Sequence, residues 1–256
     1  MKDAYAKIDY RSLVDWPRRL AREWPFFERA FSGVPLRRVL DLGSGGGEHA
    51  RLFASHGLEA AGVDLSPDLV DEARAAMQAF RGIPEVTFAA GDIARVSELV
   101  AGPFGAAVCL GNTLPHILDD ETLGGLVRQL RELVLPGGVV IIQMLNYERI
   151  FSAPVRYLPP LFRPHPEGET VFLRILDPQG DGRTVIFTPS TLLRRLSGEP
   201  PIEVTAAERV VHRGWRAGEI EGALAAFGFD SFARYGGFDG GAFDPRASLD
   251  LVLVAR

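Results

Sequence analysis

The sequence predicts an α/β fold: a seven-stranded sheet with helices on both faces, closed by an antiparallel hairpin and carrying a small inserted antiparallel β lid. Three observations carry this. Short apolar runs alternate with helical segments across residues 38–145, which is the rhythm of βαβ units. The first run, residues 39–42, breaks into Gly43-Ser44-Gly45-Gly46-Gly47 and at once opens a helix. Between residues 151 and 214 that rhythm gives way to a proline-rich entry and segments that read as antiparallel strands. The expected organisation is a helical arm and ligand-binding core over 1–150, an inserted lid over 151–214, and a return to the core sheet over 215–256.

At the N-terminus, residues 12–31 predict helix, with Leu13, Leu20, Phe26 and Phe27 as apolar anchors and Arg18, Arg19 and Arg22 on other faces. Pro17 and Pro25 predict a break into two shorter helices. Tyr5, Tyr10 and Trp16 either pack on the domain or cover a bound ligand. The strand at 39–42 then ends in glycines, which tolerate positive φ and let a ligand lie against bare backbone. A helix over 49–54 follows, with Leu52 and Phe53 facing inward. A second strand, 58–64, ends on Asp64, and Ser66-Pro67-Asp68 opens a helix over 69–80.

A third strand over 86–90 leads into Gly91-Asp92-Ile93 and a helix near 96–100. The fourth, 105–110, runs into a loop that places Asn112, Thr113 and His116 at the carboxyl edge of the sheet, where such folds bind ligands. A helix over 121–134 is closed by Pro136-Gly137-Gly138. The unbroken apolar run at 139–145 suits a central strand covered on both faces. In the lid, strands are expected at 170–176, 183–188 and 205–213, the first two joined by the turn at 177–182. A helix over 217–227 and strands at 229–235 and 249–255 complete the chain.

Composition narrows the function classes. The 256 residues suit one large domain or a core with an insertion, at 46% hydrophobic and 24% charged residues. A net charge of -5 argues against a binder that tracks nucleic-acid phosphates. The single cysteine, Cys109, excludes an internal disulfide framework and a multi-cysteine metal site. No carboxylate–histidine cluster points to a metal. The first residues lack an apolar signal region and no apolar run is long enough to span a bilayer, so the chain reads as soluble and cytoplasmic. Neither nucleic acid nor membrane is an expected partner, and a homo-oligomer is compatible with everything above.

The ligand is read from two departures. Dinucleotide fingerprints place Gly or Ala at the position held here by Glu48. Asp41 stands at the strand end just before the glycines, where a carboxylate repels pyrophosphate but suits a ligand bearing sulfonium and ammonium groups. That ligand is S-adenosylmethionine. Asp64 lies where a strand-end acid takes ribose hydroxyls. Asp92 either accepts from an adenine amino group, with Ile93 on the ring face, or caps the helix that follows.

Residues 39–47, Gly62-Val63-Asp64-Leu65-Ser66, Gly91-Asp92-Ile93 and the closing Ala226-Phe227-Gly228-Phe229 resemble the motifs of class I S-adenosylmethionine-dependent methyltransferases, a Rossmann-like family. Within that family, residues 108–116 and 136–142 with Asn146-Tyr147 are similar to glycine N-methyltransferase and its relatives. The resemblance implies a cofactor site of Arg19, Asp41, Gly43, Ser44, Gly45, Gly47, Asp64, Leu65, Asp92, Ile93, Leu110 and Gly111, Arg19 pairing with the methionine carboxylate. It implies an acceptor side of Asn112, Leu145, Asn146 and Tyr147; His116, the one histidine of the crevice-facing loop, is either a base or a hydrogen-bonded structural residue. From the lid, Arg174 and Trp215 join the acceptor candidates, beside Tyr157, Phe162, Phe187 and Arg213.

One departure bears on the acceptor. The glycine enzyme has an arginine just before its Asn-Tyr pair, where this chain has Leu145. A leucine cannot replace a bidentate guanidinium, whose charged hydrogen bonds contribute roughly 1.5–3 kcal/mol each. The expected acceptor is therefore a small molecule less anionic or more apolar than glycine, methylated at nitrogen. Methylation at oxygen and a catalytically idle nucleotide-binding domain are the alternatives. A nicotinamide oxidoreductase is disfavoured by Asp41, Glu48 and the lack of a Tyr-x-x-x-Lys pair.

Overall fold

The computed structural model describes residues 14–78, 84–153 and 155–256. Expectations resting on Tyr5, Tyr10, Leu13, Phe80 and Pro154 lie outside the described residues. The first element is helix α1 (Trp16–Ala30), after which five parallel strands alternate with helices: β1 (Arg38–Leu42), α2 (Glu48–Ser55), β2 (Glu59–Asp64), α3 (Pro67–Met77), β3 (Val86–Ala90), α4 (Val96–Leu99), β4 (Phe104–Cys109), α5 (Asp120–Leu133) and β5 (Val134–Leu145). A short helix α6 (Tyr147–Ser152) leads to a second sheet of β6 (Tyr157–His165), β7 (Gly168–Pro178), β8 (Thr184–Arg195), β9 (Ile202–Ala207) and β10 (Val210–Arg213). Helix α7 (Ala217–Ala225), β11 (Phe232–Tyr235) and β12 (Asp250–Ala255) return to the first sheet.

The first sheet has the order β3-β2-β1-β4-β5-β12-β11, in which β12 runs antiparallel to both neighbours. The chain leaves β1 first toward β3 and then, through β4, toward β5. The order thus reverses between β1 and β4, where open sheets form a ligand crevice at their carboxyl ends.

Side-chain alternation divides the core between the two faces. Val39, Val108, Ile141 and Val252 pack with Phe26 and Phe27 of α1 and Phe53 of α2. Leu40, Leu42, Ile142 and Leu253 pack on the opposite face with α5 and α7, and this cluster extends to Phe187 and Val210 of the inserted sheet and to Trp215.

Five expectations are corrected. The N-terminal segment is a single helix of 15 residues with Pro25 inside it. Pro17 sits in the first turn, where its missing N–H has no helical partner to lose, and Asp15 accepts from the Arg18 N–H as cap. Pro25 removes one helical hydrogen bond, and the burial of Phe26 and Phe27 beside it outweighs that loss. Strand β5 begins before the Pro-Gly-Gly turn rather than after it, with a register irregularity opposite Phe104 and Ala106.

The inserted sheet has five strands instead of three, because the expected strand at 205–213 divides into β9 and β10 and because β6 is itself extended. Prolines 159, 160 and 164 concealed β6, yet the strand lies at an edge, where proline is tolerated. Finally, Asn146 starts α6 by accepting from the Arg149 N–H.

Trp215 is 1% exposed, and its indole N–H donates to the Ile117 carbonyl at 2.9 Å. It is a core residue joining the insertion to the sheet, which corrects its expected place on the acceptor. Trp215→Ala is expected to lower unfolding free energy by about 3–5 kcal/mol in urea titrations, where a surface role would leave it unchanged.

Candidate functional site

The glycine turn after β1 is held by its neighbours. Gly43 and Ser44 N–H both donate to the Val63 carbonyl, at 2.8 and 3.1 Å. Gly43 has φ +74°, and a Cβ there would lie 2.5 Å from the Thr113 side chain. The loop after β4 therefore rests directly on the turn. Gly45 differs: at φ +53° a Cβ would meet nothing within 4 Å, so this backbone faces open space.

Asp64 accepts from the Gly45 N–H through Oδ2 at 2.7 Å and from the Ser66 N–H through Oδ1 at 3.0 Å. It thereby holds the turn whatever else it contacts. Asp92 Oδ1 accepts from the Ala94 N–H at 2.9 Å, which is the capping role, and Ile93 is buried behind it. Leu65 is half-buried after β2, and Leu110 packs in the core on the α1 side.

Asp41 is the electrostatic feature of this half. It is 1% exposed, and its Oδ2 has no hydrogen-bond partner among the described residues. Burial pushes the carboxyl up to about 6; nearby Asp64 and Glu48 add to that rise, while His49 and Arg19 oppose it. Arg19 is the one of the three candidate arginines turned inward, since Arg18 and Arg22 are exposed. Its Nε donates to Glu23 Oε1 at 2.8 Å, and Glu23 Oε2 meets His49 Nε2 at 2.7 Å. Burial works against ionising Glu23, but the His49 hydrogen bond and the Arg19 charge outweigh it and hold that carboxyl below its ordinary range. The chain Arg19–Glu23–His49 pins α1 to the start of α2.

These residues fit a cationic nucleoside. A buried carboxylate oxygen without a partner, beside an open stretch of glycine backbone, accepts positive charge and excludes phosphate. The family's cofactor, S-adenosylmethionine, has that charge.

The second half gathers around Asn112, the one non-glycine residue with positive φ (68°) among those described. Its Oδ1 accepts from the Leu145 N–H at 3.0 Å and its Nδ2 donates to the Tyr147 hydroxyl at 3.2 Å. The hydroxyl in turn lies 3.1 Å from His212 Nδ1. The His212 ring stacks on Phe187, with centroids 5.1 Å apart, and meets the His116 ring edge-on at 4.7 Å. Burial lowers His116 to about 4 and His212 to about 3, His116 adding to the latter. Both imidazoles are neutral at physiological pH. Below them, Gln143 accepts from the Gly111 N–H at 2.8 Å and donates to Asp250 at 3.1 Å. Burial raises the Asp250 carboxyl against that hydrogen bond.

One expected acceptor residue is corrected, and a second is placed. The Asn146 amide donates to the carbonyls of Asp244, Pro245 and Ser248 and accepts from the Arg149 N–H, which commits it to the 244–248 loop and the α6 cap. Arg174 donates to the Pro159 carbonyl and lies over the Phe172 ring, within the inserted sheet.

Sequence reasoning passed over His212, Gln143 and Asp250. The only signal for His212 was a histidine on a strand, between Val211 and Arg213; the other two become visible only when β5 and β12 pair. Among the described residues no group of three or more His, Cys, Asp or Glu side chains could hold a metal ion. No helix there is long and apolar enough to cross a membrane.

Strand order, glycine turn and acid-tipped strands define a class I methyltransferase fold. Residues 39–138 match the methyltransferase domain family. Residues 39–138 therefore carry a methyltransferase domain, and the fold is of the class I S-adenosylmethionine-dependent kind. The chain is 27% identical over 140 residues to a glycine/sarcosine N-methyltransferase of Parasynechococcus marenigrum, covering 55% of this chain and 49% of that protein. A ubiquinone biosynthesis O-methyltransferase of Xanthomonas axonopodis pv. citri is 30% identical over 109 residues, 43% of each chain. The chain thus spans about half the length of these relatives. In structure it is similar to the S-adenosylmethionine-bound amino pentose methyltransferase CalS10 of Micromonospora echinaspora, with TM-score 0.71, 18% identity, and coverage of 100% of this chain and 98% of that one.

The Asp41 carboxyl titrates near 6 in the fold against an ordinary 3.8, so its ionisation opposes folding. That penalty is absent below about pH 4, grows between the two values, and is complete above about pH 6. Asp41→Asn is expected to stabilise the ligand-free chain at pH 7.5 by about 1–3 kcal/mol while weakening S-adenosylmethionine binding at least tenfold. Denaturation and calorimetric titration check the two halves. For the wild-type chain, cofactor affinity should rise from pH 5 to pH 7 as Asp41 ionises.

Proposed function

We propose that this protein methylates a neutral amine nitrogen on a small molecule, using S-adenosylmethionine as donor. The reading is supported above all by one juxtaposition: the unpaired Asp41 carboxylate on one side of the loop after β4, and a cluster of uncharged polar groups beside Leu145 on the other. Residues 1–150 and 215–256 form the donor-binding core in this reading, and the inserted sheet over 151–214 covers the acceptor.

Bound S-adenosylmethionine supplies a methyl group activated by its sulfonium toward an acceptor lone pair. Asp41 offers the buried negative charge for that cation, and Arg19 lies close enough to influence the Asp41 carboxyl, which suits the methionine carboxylate. The open backbone at Gly45 and Gly111 leaves room for the ligand, Gly43, Ser44 and Gly47 shape the turn that presents it, Asp64 and Leu65 take the ribose side, and Asp92, Ile93 and Leu110 the adenine side. On the acceptor side, Asn112 and Tyr147 orient the nitrogen and Leu145 supplies an apolar wall.

His116 is a hydrogen-bond acceptor in this scheme. Its basicity is too low for the role of base: an alkylammonium titrates near ~10, and handing its proton to an imidazole near 4 would be uphill by several kcal/mol. The amine must therefore arrive neutral. Alignment and exclusion of water are what the protein contributes. A hydroxyl acceptor, needing a stronger base than the site holds, is disfavoured on the same ground.

A panel of amino sugars, alkylamines, amino acids and phenols in a homocysteine-release assay tests the reading. Turnover is expected with uncharged-backbone amines and not with glycine or phenols, and turnover of phenols alone would overturn it. With an active amine, kcat/KM should rise with pH along the amine's own ionisation and show no histidine limb near 6–7. Gly45→Ala should weaken cofactor binding at least tenfold, since its Cβ enters the open space beside the turn, and a denaturation curve measures separately the strain that a side chain at φ +53° adds to the fold.

A further inference from the structure

Four observations on His212 remain unexplained by packing. It lies on β10 of the inserted sheet and is fully buried. Its Nδ1 faces the Tyr147 hydroxyl at 3.1 Å. Its Nε2 is buried with no hydrogen-bond partner among the described residues. Its ring stacks on Phe187 as a phenyl group would. A phenylalanine would satisfy volume and stacking without burying an unmatched polar nitrogen.

The hydrogen-bond network assigns the protons. The Tyr147 hydroxyl carries one proton and accepts from Asn112 Nδ2 at 3.2 Å. Asn112 Oδ1 accepts from the Leu145 N–H at 3.0 Å and keeps a second lone pair, but the Tyr147 hydroxyl is farther from it, at 3.4 Å, than from His212 Nδ1 at 3.1 Å. The shorter contact favours the tautomer in which the hydroxyl donates to a bare Nδ1 and the ring proton sits on Nε2.

We infer that His212 is a positioning residue for methyl transfer: by accepting the Tyr147 proton it turns the hydroxyl lone pair toward Asn112 and holds that amide in one orientation on the reacting loop. The inserted sheet thereby sets the geometry of a residue on the core sheet through a relay of three side chains. Asn112 is the group that benefits, because its positive φ and position beside Gly111 put it at the carboxyl edge of β4. This inference rests on the acceptor site proposed above, and nuclear magnetic resonance tests it separately from that site.

With 15N-labelled histidine and asparagine, His212 should show an unprotonated, hydrogen-bonded Nδ1 and a protonated Nε2. Tyr147→Phe should shift the Nδ1 resonance toward that of an unbonded nitrogen. His212→Phe should shift the Asn112 side-chain amide signals, and His212→Asn, which keeps an acceptor oxygen near the Nδ1 position, should largely restore them. A proton on Nδ1, or Asn112 signals indifferent to His212→Phe, overturns the relay.

In the homocysteine-release assay with the active amine, His212→Phe is expected to lower kcat at least tenfold with unchanged S-adenosylmethionine affinity by calorimetry. His212→Asn should recover most of it, and His212→Phe combined with Tyr147→Phe should be no worse than either alone. Wild-type kcat in His212→Phe, or additive losses in the double variant, also overturns the inference. If the wild-type chain methylates no compound of the panel, the acceptor reading has failed, and the resonance measurements alone decide the relay.

Discussion

A carboxylate kept out of water without a partner is the constraint on which the site depends. Asp41 lies near the end of β1 inside the sheet, bordered by β2 and β4, where it is 1% exposed and its Oδ2 has no hydrogen-bond partner among the described residues. The backbone that could have satisfied it instead turns away into the glycines, whose N–H groups go to Val63 and Asp64. Such an arrangement is unfavourable in the empty chain and favourable only with a cation nearby. It also sorts ligands: a pyrophosphate at the same turn would place like charges together. The Arg19–Glu23–His49 chain extends this field to α1, so that the helix packed beside α2 is tied to the same charges.

The donor and acceptor halves meet at the loop after β4. Thr113 packs where a side chain at Gly43 would have to go, and Gly111 is held by Gln143. Two residues of that loop thus face opposite obligations, one to the glycine turn and one, Asn112, to the end of β5. The positive φ of Asn112 is how the backbone makes that reversal; asparagine reaches this conformation more readily than other non-glycine residues. Gln143 ties the same loop to Asp250 on β12, so the last strand of the chain supports the residues that face the ligand.

The parallel half of the fold was legible because periodicity, glycines and strand-end acids agree at every step from residue 38 to 145. The placement of Asp41, Asp64 and Asp92 at the carboxyl ends of strands was legible for the same reason, since the turn and the strand ends fix their chain positions. Legibility failed where distant pairing decides. The prolines of β6 read as linker until the edge position excuses them. Pro25 read as a break until Phe26 and Phe27 are seen buried. Asn146 and Trp215 read as ligand contacts by their chemistry, and their amide and indole groups are consumed by the 244–248 carbonyls and by Ile117. His212 could not be singled out, because its importance comes from Tyr147, 65 residues earlier.

The inserted sheet shares its core with the domain that it covers. Phe187, Val210 and Trp215 belong to the same packed cluster as Leu40, Ile142 and Leu253. An insertion built this way is not an exchangeable module: replacing it would also remove part of the packing that supports the first sheet. Substitutions at Phe187 or Val210 therefore act on both sheets at once, and whatever the insertion contacts cannot be altered there without a change in the fold's stability.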